Sequence, residues 1–371
     1  MRTLSDSTII FVTGGTGRAL GRIERRWLRI IEALVAEGAT VLVICALHAP
    51  IEEPARRSGA TIAPIRLDKF NLIRTRSRVR KYIKRYRPPV AHSTGYEADV
   101  LLRWAAKDLP VKVVTSADCA SWPPDGFGAV DTWIRRRFDR RSLPRTDVFL
   151  ADCEDLAERV VAAGLPRERV MLDPPSVALV RVAEDSRRAV SLPDGSPRVG
   201  YAGALERNRG LPMLAAMTPL LRERCPDVRV ILAGEGHARA AVASAARDGR
   251  IDTIDGAISV PAVLAALDVC VFPVIERGTP TSLLEAAALG RPIVASAVSG
   301  IADLFEDGVD MLMVPPNDTA ALAGAVLRLL DDPGLARRLG EHARHTVIDR
   351  YSSAAAIKRS LDLYRRLAAS V

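Results

Sequence analysis

Short apolar runs separated by amphipathic stretches recur along the whole chain. The first, residues 8–12, is followed by Thr13-Gly14-Gly15-Thr16-Gly17 and then by Ile23, Trp27, Ile30, Ile31 and Leu34 at helical spacing. A second run at 41–45 completes a β-α-β pattern. Continuous runs, rather than strict alternation, are what a parallel strand covered by helices on both faces requires. Further runs at 62–67, 89–92, 111–115, 147–151 and 169–172 extend the series. A stretch rich in charge, Pro, Ser and Gly interrupts it. The pattern then restarts at 199–202 and repeats at 228–233, 253–254, 269–272, 293–295 and 311–314.

Two such series predict an α/β protein with two doubly wound, Rossmann-like parallel-sheet domains facing a cleft. The length of 371 residues also exceeds what one ordinary core supports. The expected boundaries are 1–180 for the first domain, 181–197 for a linker and 198–350 for the second domain. Residues 351–371 form a last helix with Ile357, Leu361, Tyr364 and Leu367 on one face, expected to pack back on the first domain.

Residues 273–297 carry the most informative chemistry. The buried run 269–272 leads to Gly278-Thr279-Pro280, a helix running to Gly290, and another buried run at 293–295. Thr279 suits the N-cap, Pro280 the first helical position and Gly290 the stop. The unpaired N–H groups of such a helix start point into the crevice where doubly wound sheets hold ligands, and they favour an anion. Glu285, in the second turn, is within reach of a hydroxylated group attached to that anion. A phosphate at the loop and a sugar diol at the glutamate fit together.

Charge and cysteine usage narrow the picture. Lys and Arg exceed Asp and Glu to give a net charge of +9, and the excess is concentrated. Residues 66–87 hold ten Lys or Arg against Asp68 alone, and residues 135–145 hold six Arg against Asp139. In the first of these, Val79, Tyr82, Ile83 and Tyr86 fall on one helical face, with Arg78, Lys81, Lys84 and Arg85 elsewhere. An ordinary solvated face and a docking surface for an anionic membrane, spanning Arg74–Arg87, both remain open. No nucleic-acid-binding motif accompanies the patch, so no nucleic-acid partner is expected. Five scattered cysteines lack pair spacing and read as reduced thiols of a cytoplasmic protein. Five histidines show no ligand motif, so no metal or bound cofactor is expected. No apolar run approaches the ~18–20 residues needed to span a membrane, and residues 1–13 lack a leader layout.

Residues Gly278, Thr279, Pro280, Glu285, Ala286, Gly290, Arg291 and Pro292 resemble, in order, the donor-site signature of the retaining family 4 glycosyltransferases (glycosyl transferase group 1). That resemblance implies the GT-B architecture and a bacterial enzyme. It would move a sugar from a nucleotide diphosphate sugar, UDP-linked by preference or GDP-linked, to a glycolipid or growing surface polysaccharide. The nucleotide sugar would be its donor substrate and a glycan or lipid-linked acceptor its other partner. Gly203-Ala204-Leu205 followed by Arg209-Gly210 matches the family's paired basic clamp on the donor diphosphate, with the charge kept only at Arg209. Gly15 and Gly17 fall in the loop that approaches the donor or acceptor. Gly203, Arg209, Gly278, Thr279, Pro280, Thr281, Ser282 and Glu285 are the expected donor-binding residues. The family's first glutamate position is Arg277, beside Glu276, and these two are the candidates for contact with the transferred sugar. The strand position that often carries a histidine is Ala117.

These departures keep two rivals in view: a non-catalytic paralogue that binds a nucleotide sugar or membrane, and a GT-B nucleotide-sugar epimerase. Gly15-x-Gly17 also lacks the acid that a dinucleotide fingerprint needs at the end of the second strand.

Overall fold

The structure is a computed structural model that describes residues 4–5, 7–14, 20–65, 72–119, 122, 129–254 and 258–371. The chain divides into two compact units, residues 1–173 with 356–371, and residues 174–355. The division falls earlier than the expected boundary at 180. Residues Leu179–Ser186, placed at the edge of a linker by their charge, form a helix instead. That helix buries Val182 in the second unit's core.

The first unit holds seven strands, β1 Thr8–Thr13, β2 Thr40–Ala46, β3 Thr61–Ile65, β4 Val90–Thr94, β5 Lys112–Ala117, β6 Val148–Ala151 and β7 Val170–Leu172. They form one parallel sheet in the order β3-β2-β1-β4-β5-β6-β7. Successive residues of β1 point to opposite faces. Ile9 and Phe11 join Val41, Val43, Trp27 and Ile30 on one side, while Ile10 and Val12 join Leu42, Ile44, Val79 and Leu101 on the other. Both faces are covered, which is why the strand reads as an unbroken apolar run.

Helix Ser353–Ala368 contributes its residues from 356 onward to this unit. Its Tyr364 is fully buried, with Oη 2.6 Å from Nδ1 of His92, whose Nε2 lies 2.6 Å from Oγ of Ser116. Phe11 and Trp27 stack around the imidazole. On the other face, fully buried Arg103 bonds Asp139 at 2.6 Å and Thr115 at 3.3 Å, and Trp122 Nε1 donates to Asp139 at 2.8 Å.

The second unit holds β8 Arg198–Ala202, β9 Arg229–Ala233, β10 Asp252–Ile254, β11 Val269–Phe272, β12 Ile293–Ser296 and β13 Leu312–Val314. These are parallel in the order β10-β9-β8-β11-β12-β13. Among the described residues one core cluster runs through this unit. Both units are therefore doubly wound α/β folds. The expected reduced state of all five cysteines does not hold, because Cys119 and Cys153 are paired as a disulfide, at a sequence separation of 34. Cys45, Cys225 and Cys270 are free thiols.

Burial lowers the pKa of His92 to about 3, with the Arg26 guanidinium adding to the effect. Between about pH 6.5 and 3 the unfolded chain therefore binds a proton that the folded chain refuses, so this residue makes stability fall as pH falls. Asp99 acts oppositely, because burial raises its pKa to about 7. The folded chain keeps that proton where the unfolded chain releases it, so stability falls as pH rises toward 7. Urea unfolding at pH 7, 6, 5 and 4 of wild type and His92→Gln separates the two. The stability advantage of wild type should shrink below pH 6.5 by about 1.4 kcal/mol per pH unit. Parallel profiles would contradict this.

Candidate functional site

In the second sheet the order reverses at β8 and β11. The chain leaves β8 toward β9 on one side and leaves β11 toward β12 on the other. A strand-order reversal of this kind marks the crevice that is the usual ligand position of such sheets. Residues 203–210 and 273–280 line it. The two loops are tied where Ile275 N–H donates to the Asn208 carbonyl at 3.0 Å. Gly210 sits against this tie with φ +63°, and a Cβ there would stand 1.8 Å from the Pro273 carbonyl oxygen. Gly203, φ +147°, likewise leaves no room, because a Cβ would lie 2.6 Å from Oγ of Ser282. Both glycines let backbone approach closely at the strand ends.

The loop after β11 turns through Gly278, φ +115°, into helix Thr281–Ala288. Pro280, not Thr279, is the N-cap, and among the described residues no side-chain cap bonds this end. The Thr279 hydroxyl instead donates to the Gly300 carbonyl, while Gly278 N–H donates to Ser299 at 2.8 Å. This anchors the turn from the neighbouring loop. At the far end, Gly290 takes φ +67°, with Gly290 N–H bonded to Ala287 and Arg291 N–H to Ala286. That is a Schellman stop. The helix start thus presents backbone donors and the positive end of its dipole to the crevice.

Ser282 is buried beneath Gly203, next to Tyr201. The Tyr201 hydroxyl donates to the Ala204 carbonyl at 2.8 Å, and burial pushes its pKa up to about 12. It therefore stays a neutral donor that fixes the first bend of the loop. Arg209, half-buried, bonds Glu206 at 2.7 Å, and its Nε is buried without a partner. Glu285 is half-buried in the second helical turn. Burial raises its carboxyl pKa, with Arg181 opposing the shift and Asp185 adding to it. Both come from helix Leu179–Ser186, which packs on the helix carrying Glu285.

The fold therefore gathers Gly203, Arg209, Gly278, Thr279, Pro280, Thr281 and Ser282 at one sheet edge, with Glu285 one turn farther along. Glu276 and Arg277 are exposed on the loop just before Gly278. Gly15 and Gly17 lie outside the described residues. Tyr201 was missed in the sequence because its role rests on a tertiary contact. Arg181 and Asp185, on the helix at 179–186, were hidden by the same charge-rich composition that suggested a linker.

A family model described as "Glycosyl transferases group 1" matches residues 196–332, and one described as "Glycosyl transferase 4-like domain" matches residues 21–176. Together these matches take in most of both units, and the chain belongs to the group 1 glycosyltransferase family. Similar curated proteins include an alpha-D-kanosaminyltransferase of Streptomyces kanamyceticus, 33% identical over 182 residues and 47% of each chain. Glycogen synthase of Mycobacterium tuberculosis is 30% identical over 229 residues, 58% of this chain and 51% of that one. The chain spans about half the length of these relatives. Among solved structures, a glycosyltransferase from Rickettsia africae superposes with TM-score 0.79 at 14% identity, covering 97% of this chain and 98% of that one. Anabaena HepE in complex with UDP gives TM-score 0.77 at 14% identity, covering 97% and 100%. At such identity the likeness is one of fold, and the fold is GT-B.

Gly210→Ala should cost about 3 kcal/mol or more, because the left-handed backbone and the contact with a fixed carbonyl cannot be relieved by a rotamer change. Urea unfolding checks this, and a loss under about 0.5 kcal/mol would contradict the close approach of the two loops.

Proposed function

We propose that the chain is a retaining glycosyltransferase that moves a sugar from a nucleotide diphosphate sugar, UDP-linked in preference to GDP-linked, onto a glycolipid or growing surface polysaccharide. The observation that carries this reading is the pairing of an uncapped helix start with Arg209 across the β8–β11 crevice. A diphosphate at this edge would meet the loop amides and the helix dipole on one side and a guanidinium on the other. Arg209 is poised to exchange Glu206 for phosphate, since bidentate phosphate contact suits its planar fork. Glu285 would accept from the ribose hydroxyls, and Glu276 and Arg277 would meet the hydroxyls of the sugar being transferred. The uridine preference draws on Anabaena HepE, a protein of the same fold crystallised with UDP and with UDP-glucose.

In this mechanism the bond from the anomeric carbon to the departing phosphate oxygen breaks while the acceptor oxygen bonds to the same face. The acceptor's proton passes to the departing phosphate, so no side-chain base is required. The charge growing on the phosphate is met by Arg209 and by the amides around Gly278–Ser282. Preorganised donors of this kind are typically worth about 2.7–4 kcal/mol each.

The acceptor side of the proposal rests on helix Leu72–Tyr86. Arg76 donates to the Trp104 carbonyl and Arg80 to the carbonyls of Ala105 and Lys107. Those two side chains close the end of a neighbouring helix. Arg74, Arg78, Lys81, Lys84 and Arg85 are exposed, as is Ile73 at 79%. Exposed cations around an exposed aliphatic side chain suit an anionic membrane surface, each contributing about 1 kcal/mol. The protein would then work in the cytoplasm, peripheral to the inner face of the cell membrane. None of the described helices is long and apolar enough to cross a membrane.

Titration with uridine, guanosine and adenosine diphosphate sugars tests the donor site. Wild type should prefer one nucleotide, and Glu285→Ala should weaken its binding about tenfold or more, as loss of charged hydrogen bonds predicts. Binding that ignores the substitution would remove Glu285 from the site. Because its carboxyl pKa is raised, donor affinity should decline on acidification at a higher pH than for an ordinary carboxylate. In vesicle sedimentation at low salt, Lys81→Glu, Lys84→Glu and Arg85→Glu together should release the protein from anionic lipid. Unchanged sedimentation would dismiss the membrane surface.

A further inference from the structure

Cys119, Asp152 and Cys153 come together where β5 and β6 end side by side. Ala117 and Ala151, the last residues of these strands, are register partners. Both chains therefore leave the sheet at the same level, one carrying Cys119 and the other Asp152 and Cys153. Two sulfurs and a carboxylate oxygen from these residues lie within 4.8 Å of one another. Asp152 and Cys153 are buried and Cys119 half-buried. Asp152 Oδ1 accepts the Cys119 backbone N–H at 3.0 Å, which fixes the carboxylate against the segment carrying the first sulfur. Cys153 is the N-cap of helix Glu154–Ala162. The positive end of that helix favours the thiolate over the thiol.

The Cα atoms of the two cysteines are 7.0 Å apart, beyond the ~4.4–6.8 Å usual for a disulfide. A shared ion suits the wider spacing, because each sulfur–metal bond of about 2.3 Å is longer than the sulfur–sulfur bond. Two thiolates and one carboxylate are a donor set for a borderline-soft cation, unlike the all-oxygen sets of magnesium and calcium.

We propose that the dithiol form of Cys119 and Cys153, with Asp152, is a binding site for a zinc-type divalent cation. The ion takes two thiolates and one carboxylate and keeps one coordination position open. Binding releases the two thiol protons to solvent. Oxidation competes with it: a small-molecule disulfide accepts two electrons and two protons, departs as two thiols and leaves the Cys119–Cys153 bond. The ion clamps together the two chain segments that leave β5 and β6. All three of its ligands belong to the first unit.

Cobalt(II) is the probe. The full chain, reduced with a phosphine and cleared of it under argon, should bind one cobalt per chain with intense thiolate-to-cobalt absorption in the near ultraviolet. Zinc should displace it and bleach the band. Cys153→Ser should lose the band and most of the affinity. Asp152→Asn should keep the band and weaken binding about tenfold. The disulfide form should bind no cobalt. Absence of the band in reduced wild type would overturn the proposal and leave a plain cysteine pair. A band that survives the combined Cys119→Ser and Cys153→Ser substitution would overturn it too, by assigning the ion to other thiols. Circular dichroism of each variant confirms that the fold is retained.

Discussion

The donor site proposed for the second unit depends on the reversal of strand order between β8 and β11. Adjacent parallel strands whose chains depart in opposite directions leave an opening that no side chain of the core needs to fill. Beside it the chain packs too closely for a Cβ at two glycines. Gly210 against the Pro273 carbonyl and Gly203 against Ser282 remove the Cβ atoms that would push the loops apart. The Ile275 to Asn208 hydrogen bond fixes their spacing. In the proposed function, phosphate binding would be largely a property of the backbone, with Arg209 and Glu285 adding selectivity.

The same logic assigns different kinds of work to the charged residues. Arg103 and Asp139 are buried partners, and the loss of either would leave an uncompensated interior charge. Arg76 and Arg80 cap carbonyls at the end of a neighbouring helix. Arg209 is held by Glu206 at 2.7 Å on the loop after β8. A net positive charge read from composition cannot separate these uses, since each depends on what the fold brings within about 3 Å, an ordinary hydrogen-bond distance.

The architecture was legible because parallel strands covered on both faces demand unbroken apolar runs, and the runs at 8–12, 41–45, 199–202 and 269–272 are of that kind. The turn at Gly278–Pro280 and the stop at Gly290 were legible for a related reason: each needs a residue type whose backbone preference is unusual. The assignment of Thr279 as N-cap failed because its hydroxyl is drawn to Gly300, a partner supplied by another loop. The Cys119–Cys153 proximity was illegible, since it follows from the register of β5 on β6 rather than from spacing along the chain. The helix at 179–186 was hidden because Arg181, Glu184 and Asp185 look like linker residues until Val182 is seen in the core. His92 gave no sign of its buried bond to Tyr364, which lies near the other end of the sequence.

Amide hydrogen exchange in the presence and absence of uridine diphosphate tests the central claim most directly, because the claim concerns backbone donors at one sheet edge. Saturating nucleotide should slow exchange at residues 203–210 and 278–283, with smaller changes elsewhere in the second unit. Protection confined to the first unit, or none at saturation, would contradict a donor site in the β8–β11 crevice.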